Sequence, residues 1–528
     1  MPIGPFTLRE DYWEAFELEQ EDIEFIYNFL LETETPLTNQ ELVDILVAER
    51  IRREKISIEK KRSSGGEIFL PKNHYKVKQS LVFPALSWRK GKITGIRPGK
   101  NPDFGEFEVI QVLFENGETR EFATGLENHV LNNPVEVIQE DPSLNLESVL
   151  YIYKDLIAER LQAGLEKNKD FVYIAGRWFP KALLVDINIG HLNLAEAVLD
   201  IAGGGPLPTS SLLEQLDISA NVNAKLLEFS MDYALQEDQR FDEVGAAGEV
   251  LWFLQRLEPE EVKEPPIYLR YSGMEYDRDK LNDEMLALES ELDDELSPMN
   301  VKYTHLSEVD VCLIFPHWRM GTLPLSARTR HLFPTAYESP RIRFTIIDGL
   351  TNEKFPAWVV RNKRYVFGMK NWYEKYGLIP GSIVHIRRGQ KAGEVIVRCD
   401  TKRPCRDWVR TVLVGSDGGI VFAMLKQLLS SSLDERMAVA VPDVNAIDQV
   451  WERMQKDRPP FEKTVVSVVR ELTKLNPQSH VHASELYAAV NVIKRCPPGP
   501  ILELLASRPW FVHVGDLHFR FNDSEIAG

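Results

Sequence analysis

Leu192-Asn-Leu-Ala-Glu-Ala-Val-Leu-Asp-Ile-Ala-Gly-Gly-Gly-Pro-Leu207, followed by Asp238-Gln-Arg-Phe-Asp-Glu-Val-Gly245 and by Trp252, reads as helix, stop, helix and hairpin. Leu194, Ala197, Val198 and Ile201 recur at helical spacing, which predicts a helix from about Asn193 with these four on one apolar face. Three glycines and a proline cannot continue a helix, so Gly203-Gly204-Gly205-Pro206 ends it. The same glycines precede a proline rather than a helix N-terminus, so they form a turn and not a phosphate cradle. Thr209 is placed to cap the next helix. Asp238 to Leu254 then reads as strand, Gly245–Gly248 turn and strand.

The hairpin has two echoes. Phe171-Val-Tyr-Ile-Ala-Gly and Phe511-Val-His-Val-Gly also follow helical regions and lead through a turn to a second aromatic strand, at Trp178 and Phe519 as at Trp252. One supersecondary unit reused explains the three. At the other end, Ile23, Ile26, Tyr27 and Leu30 give an amphipathic helix. Thr38 with Glu41 forms a capping box ahead of a second helix with Leu42, Ile45 and Leu46 on its apolar face. A basic run follows (Arg50, Arg52, Arg53, Lys55, Lys60, Lys61, Arg62), then a Ser63–Gly66 turn and a strand at Glu67–Leu70. That is a winged-helix outline with its wing tip at 63–66. At the C-terminus, a helix, a Ser484-capped helix, a Pro-Pro-Gly turn, a helix from Pro500 and a hairpin repeat the plan.

Between these units lie β-rich stretches. Short strands at 81–83, 91–96, 107–114 and 119–122, with an Asn116-Gly117 hairpin signal, suggest a small barrel. Seven strands are predicted across residues 309–399, with a short helix at 371–376. Residues 417–454 read as two helices around Pro442. The segment 257–300 is rich in Pro and acid and reads as a linker plus a solvated acidic helix.

The 528 residues exceed one hydrophobic core, and domain sizes suggest roughly three to five units. No apolar run is long enough to span a membrane and no signal peptide is visible, so a cytoplasmic location is expected. Four cysteines do not make a disulfide framework, and Cys399 with Cys405 lacks a second pair for zinc. Net charge is −18, which excludes indiscriminate coating of nucleic acid but not local contact. The chemistry therefore depends on where cations cluster.

The densest cluster is Arg387, Arg388, Lys391, Arg398, Lys402, Arg403, Arg406 and Arg410, with Trp408 and His385 interleaved. A second set, Arg319, Arg328, Arg330, Arg361, Lys363 and Arg364, accompanies Trp318. The Arg50–Arg62 run reads equally as a phosphate-facing surface or as a solvated helix face paired with Glu49, Glu54 and Glu59. The C-terminal unit adds Lys494, Arg495, Arg508, His513, His518 and Arg520. No phosphate loop, nucleophile elbow or carboxylate constellation is present, so no catalytic residue, cofactor or metal is expected. His480, His482, His513 and His518 read as histidines at helix starts and hairpins.

The segment Leu192–Leu207 with Asp238–Gly245 and Trp252 resembles the HARE-type helix-turn-helix family, which includes the delta subunit of bacterial RNA polymerase. The resemblance rests on the Ala-Glu-Ala helix, the Gly-Pro turn and the Asp-x-Arg-Phe strand. Ser211 to Ala224 contains no Arg or Lys, so this copy fits a protein-contacting wing as well as a DNA-reading one. Gly321-Thr-Leu-Pro-Leu, Arg341 to Gly349, Trp358, Gly368 to Tyr376 and Leu378-Ile-Pro-Gly-Ser-Ile-Val look like the DNA-binding pseudobarrel of plant auxin-response factors. Residues 76–135 resemble Tudor- or KOW-like barrels.

The expected fold is α+β and multidomain, with repeated winged-helix units and small β-barrels. The domains are a winged helix at 1–75, a small barrel at 76–135, a helix with a wing-type hairpin at 146–188 and a HARE-type winged helix at 189–256. The acidic segment at 257–300, the pseudobarrel at 301–415, a helical connector at 416–456 and a winged helix at 457–528 follow. The expected function is non-catalytic, DNA-binding or transcription-associated. DNA would contact Arg387, Arg388, Lys391, Arg398, Lys402, Arg403, Arg406, Arg410, Arg50, Arg52, Arg53, Lys60, Lys61 and Arg62. Transcription machinery or other proteins are the further expected partners, with no membrane and no small-molecule substrate. An acidic protein-binding scaffold, or the specificity subunit of a restriction or defence system, are the alternatives.

Overall fold

A computed structural model describes residue 8 and residues 11–522, apart from 64–66, 87–88, 102–104, 133–141, 217–222, 247, 300–302, 304 and 417; at 58–63 and 84 it describes the backbone alone. The chain divides into two compact units, Met1–Val185 with Asn221–Phe229, and Asp186–Ala220 with Ser230–Gly528. The fold is α+β and multidomain, as expected, and no helix among the described residues is long and apolar enough to cross a membrane.

The first unit opens with α1 (Gln20–Thr33), β1 (Leu37–Thr38) and α2 (Asn39–Ser63). A five-stranded sheet follows: β2 (Glu67–Ile68), β3 (Ser80–Phe83), β4 (Arg89–Pro98), β5 (Glu108–Phe114) and β6 (Thr119–Thr124), in order β2-β3-β4-β5-β6. Then come α3 (Leu146–Leu165) and a hairpin of β7 (Phe171–Ile174) and β8 (Arg177–Pro180). Strand β1 pairs with β8, Leu37 opposite Trp178, while β2 pairs with β3. The wing of the N-terminal winged helix is therefore the hairpin at 171–180, and not the Gly-tipped segment ending at Leu70. Helices α1, α2 and α3 with β1 and the β7–β8 hairpin form one winged helix, with the five-stranded sheet inserted between its second and third helices. Asn39 ties α2 to α3 by donating to the Ala158 carbonyl at 2.8 Å.

The second unit begins with the same plan: α4 (Ile189–Ile201), β9 (Leu207–Pro208), α5 (Thr209–Leu213), α6 (Ala224–Glu237, from Ser230 onward in this unit), β10 (Phe241–Glu243) and β11 (Leu251–Leu254). Leu207 lies opposite Trp252, whose indole donates to Asp232 and to Thr209, both at 3.0 Å. Gly203, Gly204 and Gly205 all have positive φ, and a Cβ on Gly205 would lie 2.6 Å from the Trp252 carbonyl oxygen. The buried face of α4 is Leu192, Ala195 and Leu199. Of the expected stripe, Leu194, Ala197 and Ile201 face outward, Ile201 being 90% exposed, and only Val198 packs partly on the core. Two apolar stripes exist on this helix, and periodicity alone does not choose between them.

The acidic segment holds α7 (Glu260–Lys263) and α8 (Asp283–Leu292). Seven strands and two short helices follow: β12 (Glu308–Cys312), α9 (Phe315–Met320), β13 (Thr322–Pro324), β14 (Arg341–Asp348), β15 (Lys354–Val360), β16 (Tyr365–Phe367), α10 (Lys370–Tyr376), β17 (Ile383–Arg388) and β18 (Glu394–Arg398). They form a barrel-like sheet in order β12-β17-β18-β14-β15-β16-β13, antiparallel except where β14 meets β18. Its strands alternate, so Ile342, Phe344 and Ile346 point into a core closed by Trp372 and Tyr373.

Strands β19 (Thr401–Val414) and β20 (Ile420–Ser431) form a long two-stranded ribbon. This corrects the helix expected from residue 417 onward. Met424, Leu425, Lys426 and Gln427 favour helix, but ladder pairing with β19 overrides that preference. The second expected helix is α11 (Val444–Asp457). The third winged helix is α12 (Phe461–Thr473), β21 (His480–His482), α13 (Ala483–Asn491), α14 (Pro498–Ser507), β22 (Phe511–Gly515) and β23 (His518–Phe521). His482, not Ser484, caps α13, its ring accepting the Ser484 amide. Val481 lies opposite Phe519, so all three copies place a buried aromatic on the middle strand against the strand that leads into the second helix.

Two of these winged helices are built into the second unit rather than displayed from it. The wing β10–β11 joins the barrel: Arg343 donates its amide to the Val244 carbonyl at 2.9 Å, Arg341 binds Asp242 at 2.5 Å, and Phe253 meets Trp358 edge-on. In the C-terminal copy, α13 and most of α14 are buried, with Tyr276 against Gly499 and Lys280 on Glu503 at 2.9 Å. The acidic segment is only in part a solvated face: Asp283, Glu284 and Glu291 are exposed. Glu258, Glu289, Asp294 and Glu295 are buried, and Asp294 and Glu295 bind the fully buried Arg495 at 2.6 and 2.7 Å. Tyr487 donates to Asp294 at 2.5 Å, and His317 meets Glu295 at 3.1 Å and Thr322 at 2.8 Å. Burial opposes charge on Glu295, yet Arg495 and His317 outweigh it and hold the carboxyl far below its usual range.

Arg495→Met leaves two buried carboxylates without their cation. It is expected to destabilise the second unit by about 3–5 kcal/mol, read as a lowered urea midpoint. Adding Asp294→Asn and Glu295→Gln should recover part of the loss. At the wing, burial raises the Glu243 carboxyl to about 7, although it accepts the Glu338 amide at 3.0 Å. A carboxyl that binds its proton more tightly when folded loses stability as pH rises from its unfolded value to its folded one. Glu243→Gln should therefore gain on wild type between about pH 4.5 and 7, by up to about 3 kcal/mol. Melting curves of both proteins across that range test this; a constant difference refutes it.

Candidate nucleic-acid interface

The N-terminal basic run is largely committed to ion pairs. Arg50 is buried: its Nε lies 3.1 and 3.2 Å from the two Asp22 oxygens, it donates to the Glu17 carbonyl at 2.6 Å, and it sits over the Phe16 ring. Burial pushes the Asp22 carboxyl up, but the hydrogen bonds and charge of Arg50 prevail and leave it below its usual range. Arg53 binds Asp22 at 2.6 Å and Arg52 forks onto Glu49 at 2.7 and 2.8 Å. Arg50 cannot meet a phosphate, because α2 buries this position against α1. The side chains of Lys60, Lys61 and Arg62 lie outside the described residues.

The central cluster splits in two. Arg388 ends β17 and Lys391 lies in the turn to β18; both line an open cavity of about 650 Å³. Its other cations are Arg330 and Arg361, which come from the second basic set. Arg361 donates to the carbonyls of Phe333 at 2.6 Å and Pro334 at 2.7 Å, and Arg388 donates to the His331 carbonyl at 3.1 Å. These bonds aim the guanidiniums without neutralising them. Burial, and then the neighbouring Arg330, push the Arg361 pKa below its ordinary value. Among the described residues one carboxylate lines the cavity, Glu394, and it is taken by Lys354 at 2.7 Å. His331 donates to the Leu306 carbonyl at 2.6 Å, and its buried Nδ1 has no hydrogen-bond partner among the described residues. Four like charges around one cavity favour an anion, since each raises the electrostatic cost of the others.

Lys402, Arg403 and Arg406 lie beyond the other end of β18, on the ribbon. They are exposed, and no ion pair holds them among the described residues. Arg398 is half exposed and 3.7 Å from Asp400. Arg387 is exposed at the end of β17. Arg410 departs from expectation: it is buried, binds Glu485 at 2.8 Å and donates to the Arg436 carbonyl at 2.9 Å. The strand passes into the core between Trp408 and Val409, so Arg410 anchors the ribbon and touches no outside ligand.

Three further expected cations are engaged elsewhere. Arg319 binds Asp448 at 2.8 Å, Arg364 donates to the Glu295 carbonyl at 3.0 Å, and Arg508 binds Glu462 at 3.1 Å. Sequence reasoning groups residues near each other along the chain and so misses the cavity, which joins positions around 330, 361 and 390. It also misses Lys426, whose helical reading hides its place beside Trp408. No protein-family model, no curated protein and no solved structure matches the chain.

Arg410→Met removes the cation from Glu485 and from two carbonyls. A loss of about 3 kcal/mol is expected, with faster proteolytic cutting within 401–414. Unchanged cutting would show that Arg410 does not anchor the ribbon.

Proposed function

We propose that the second unit binds nucleic acid through its phosphate backbone and catalyses no reaction on it. The observation that carries this reading is the cavity lined by Arg330, Arg361, Arg388 and Lys391, where the one carboxylate among the described residues is already paired. Cations held at fixed positions without counter-charges suit phosphate oxygens, and guanidiniums suit them best. Lys402, Arg403 and Arg406 add a second cationic surface on the ribbon. Net charge of −18 does not forbid this, because exposed charges beyond about 8 Å are largely screened at physiological salt. The resemblances to helix-turn-helix and pseudobarrel families give transcription as the setting, with DNA as the ligand; the specificity-subunit alternative would use the same surfaces.

A second reading, an acidic protein-binding scaffold, is favoured by α4, which turns Ile189, Leu194 and Ile201 outward instead of cations. Fluorescence anisotropy with labelled duplex, single strand and RNA over a salt series separates the readings. Arg388→Glu with Lys391→Glu, and separately Lys402→Glu with Arg403→Glu and Arg406→Glu, should each weaken binding. Each duplex phosphate that a variant no longer neutralises should flatten the log–log salt slope by about 0.9. Unchanged affinity and slope in both variants overturns the proposal. A wild-type chain that ignores nucleic acid but retains proteins after nuclease treatment is the scaffold.

A further inference from the structure

The ribbon carries more than positive charge. Residues 401–408 are exposed without interruption, Trp408 is 58% exposed and Leu428 is 65% exposed. Residues directly opposite in an antiparallel pair share a face. Arg406 pairs with Leu428 and Trp408 with Lys426, so one face presents a cation beside an apolar group in each of two successive rows. Met424 extends the apolar side of that face. Asp407 pairs with Gln427 on the opposite face, away from these rows. The Lys426 ammonium lies 5.5 Å from the centre of the Trp408 ring.

Both ends of the ribbon are fixed. Toward the turn, Val412 and Phe422 enter the core, and Arg453 donates to the Gly418 carbonyl. At the root, Ser382 bridges to Leu433 and meets Ser431 at 3.2 Å. The exposed rows are therefore a held platform and not a free tip. A lipid-inserting loop would lead with an apolar tip; here the turn is docked and cations interrupt the apolar side chains.

We infer that this face receives an unpaired stretch of nucleic acid, with a base stacked on Trp408 and phosphates on Arg406 and Lys426, while the exposed Lys402 and Arg403 extend the cationic track along the same strand. The inference rests on the nucleic-acid reading above and names its strandedness. Its basis is charge complementarity joined to stacking. The cations on the platform select a polyanion, and an exposed indole beside a cation offers a base a π-surface that a duplex keeps covered.

Anisotropy with a labelled oligothymidine strand, and with the same strand paired to oligoadenine, tests this on the full chain. Wild type should bind the single strand more tightly than the duplex. Trp408→Ala should weaken single-strand binding roughly 5- to 150-fold, the range of one base–aromatic stack, and change duplex binding little. Trp408→Phe should keep most of the affinity, and unchanged melting midpoints would exclude unfolding as the cause. If wild type binds neither ligand, the nucleic-acid reading falls and this inference falls with it. If it binds nucleic acid but prefers duplex, or ignores Trp408→Ala, only the ribbon inference is overturned. Trp408-dependent retention on phosphatidylserine vesicles without single-strand binding would assign the platform to membranes and overturn it too.

Discussion

The buried contact of Arg495 with Asp294 and Glu295 organises the second unit. A guanidinium and two carboxylates removed from water are tolerable only if each is matched, and here Tyr487, Asn491 and His317 take up further bonding capacity of the same groups. The network draws three residues from the C-terminal winged helix, two from the acidic segment and one from the short helix that follows the first strand of the barrel. Its geometry is possible only when α13 and α14 lie against the acidic segment. That placement costs the third winged helix the free helix face with which such modules enter a groove.

The wing of the second copy follows the same logic. Once Val244 and Phe253 are packed on the barrel and Asp242 is bound by Arg341, the wing is held against the barrel and is not free to flank a duplex. Two winged helices thus serve as structural supports. Two cationic places stay open: the cavity between the barrel loops and the ribbon beyond β18. At these two places described cations lie without a carboxylate partner of their own.

Much of this architecture was legible locally. Alternation placed the strands of both barrels to within a few residues, because each strand buries one face and shows the other. The aromatic-and-glycine hairpins at 171, 241 and 511 were recognisable as one unit because a winged helix needs the same buried ring in each copy. Errors came where two local readings were both sound. On α4, Leu192, Ala195 and Leu199 and the Leu194, Ala197, Val198 and Ile201 stripe both have helical spacing, and only the partner surface selects one. Residues 420–431 contain good helix formers in an alternating pattern, and pairing with β19 settles the matter.

Spacing, caps and turn residues act over a few positions, so the kinds of element, their order and the repeated plan were already written in the chain. Which charges are neutralised emerges only once distant segments meet. Arg50, Arg410 and Arg495 are cations like Arg388 and Lys402 in the sequence, but the first three find carboxylates brought from 28, 75 and about 200 positions away. A charge's function depends on its solvation and its nearest counter-charge. Both are set by chain segments far apart, which no local pattern records.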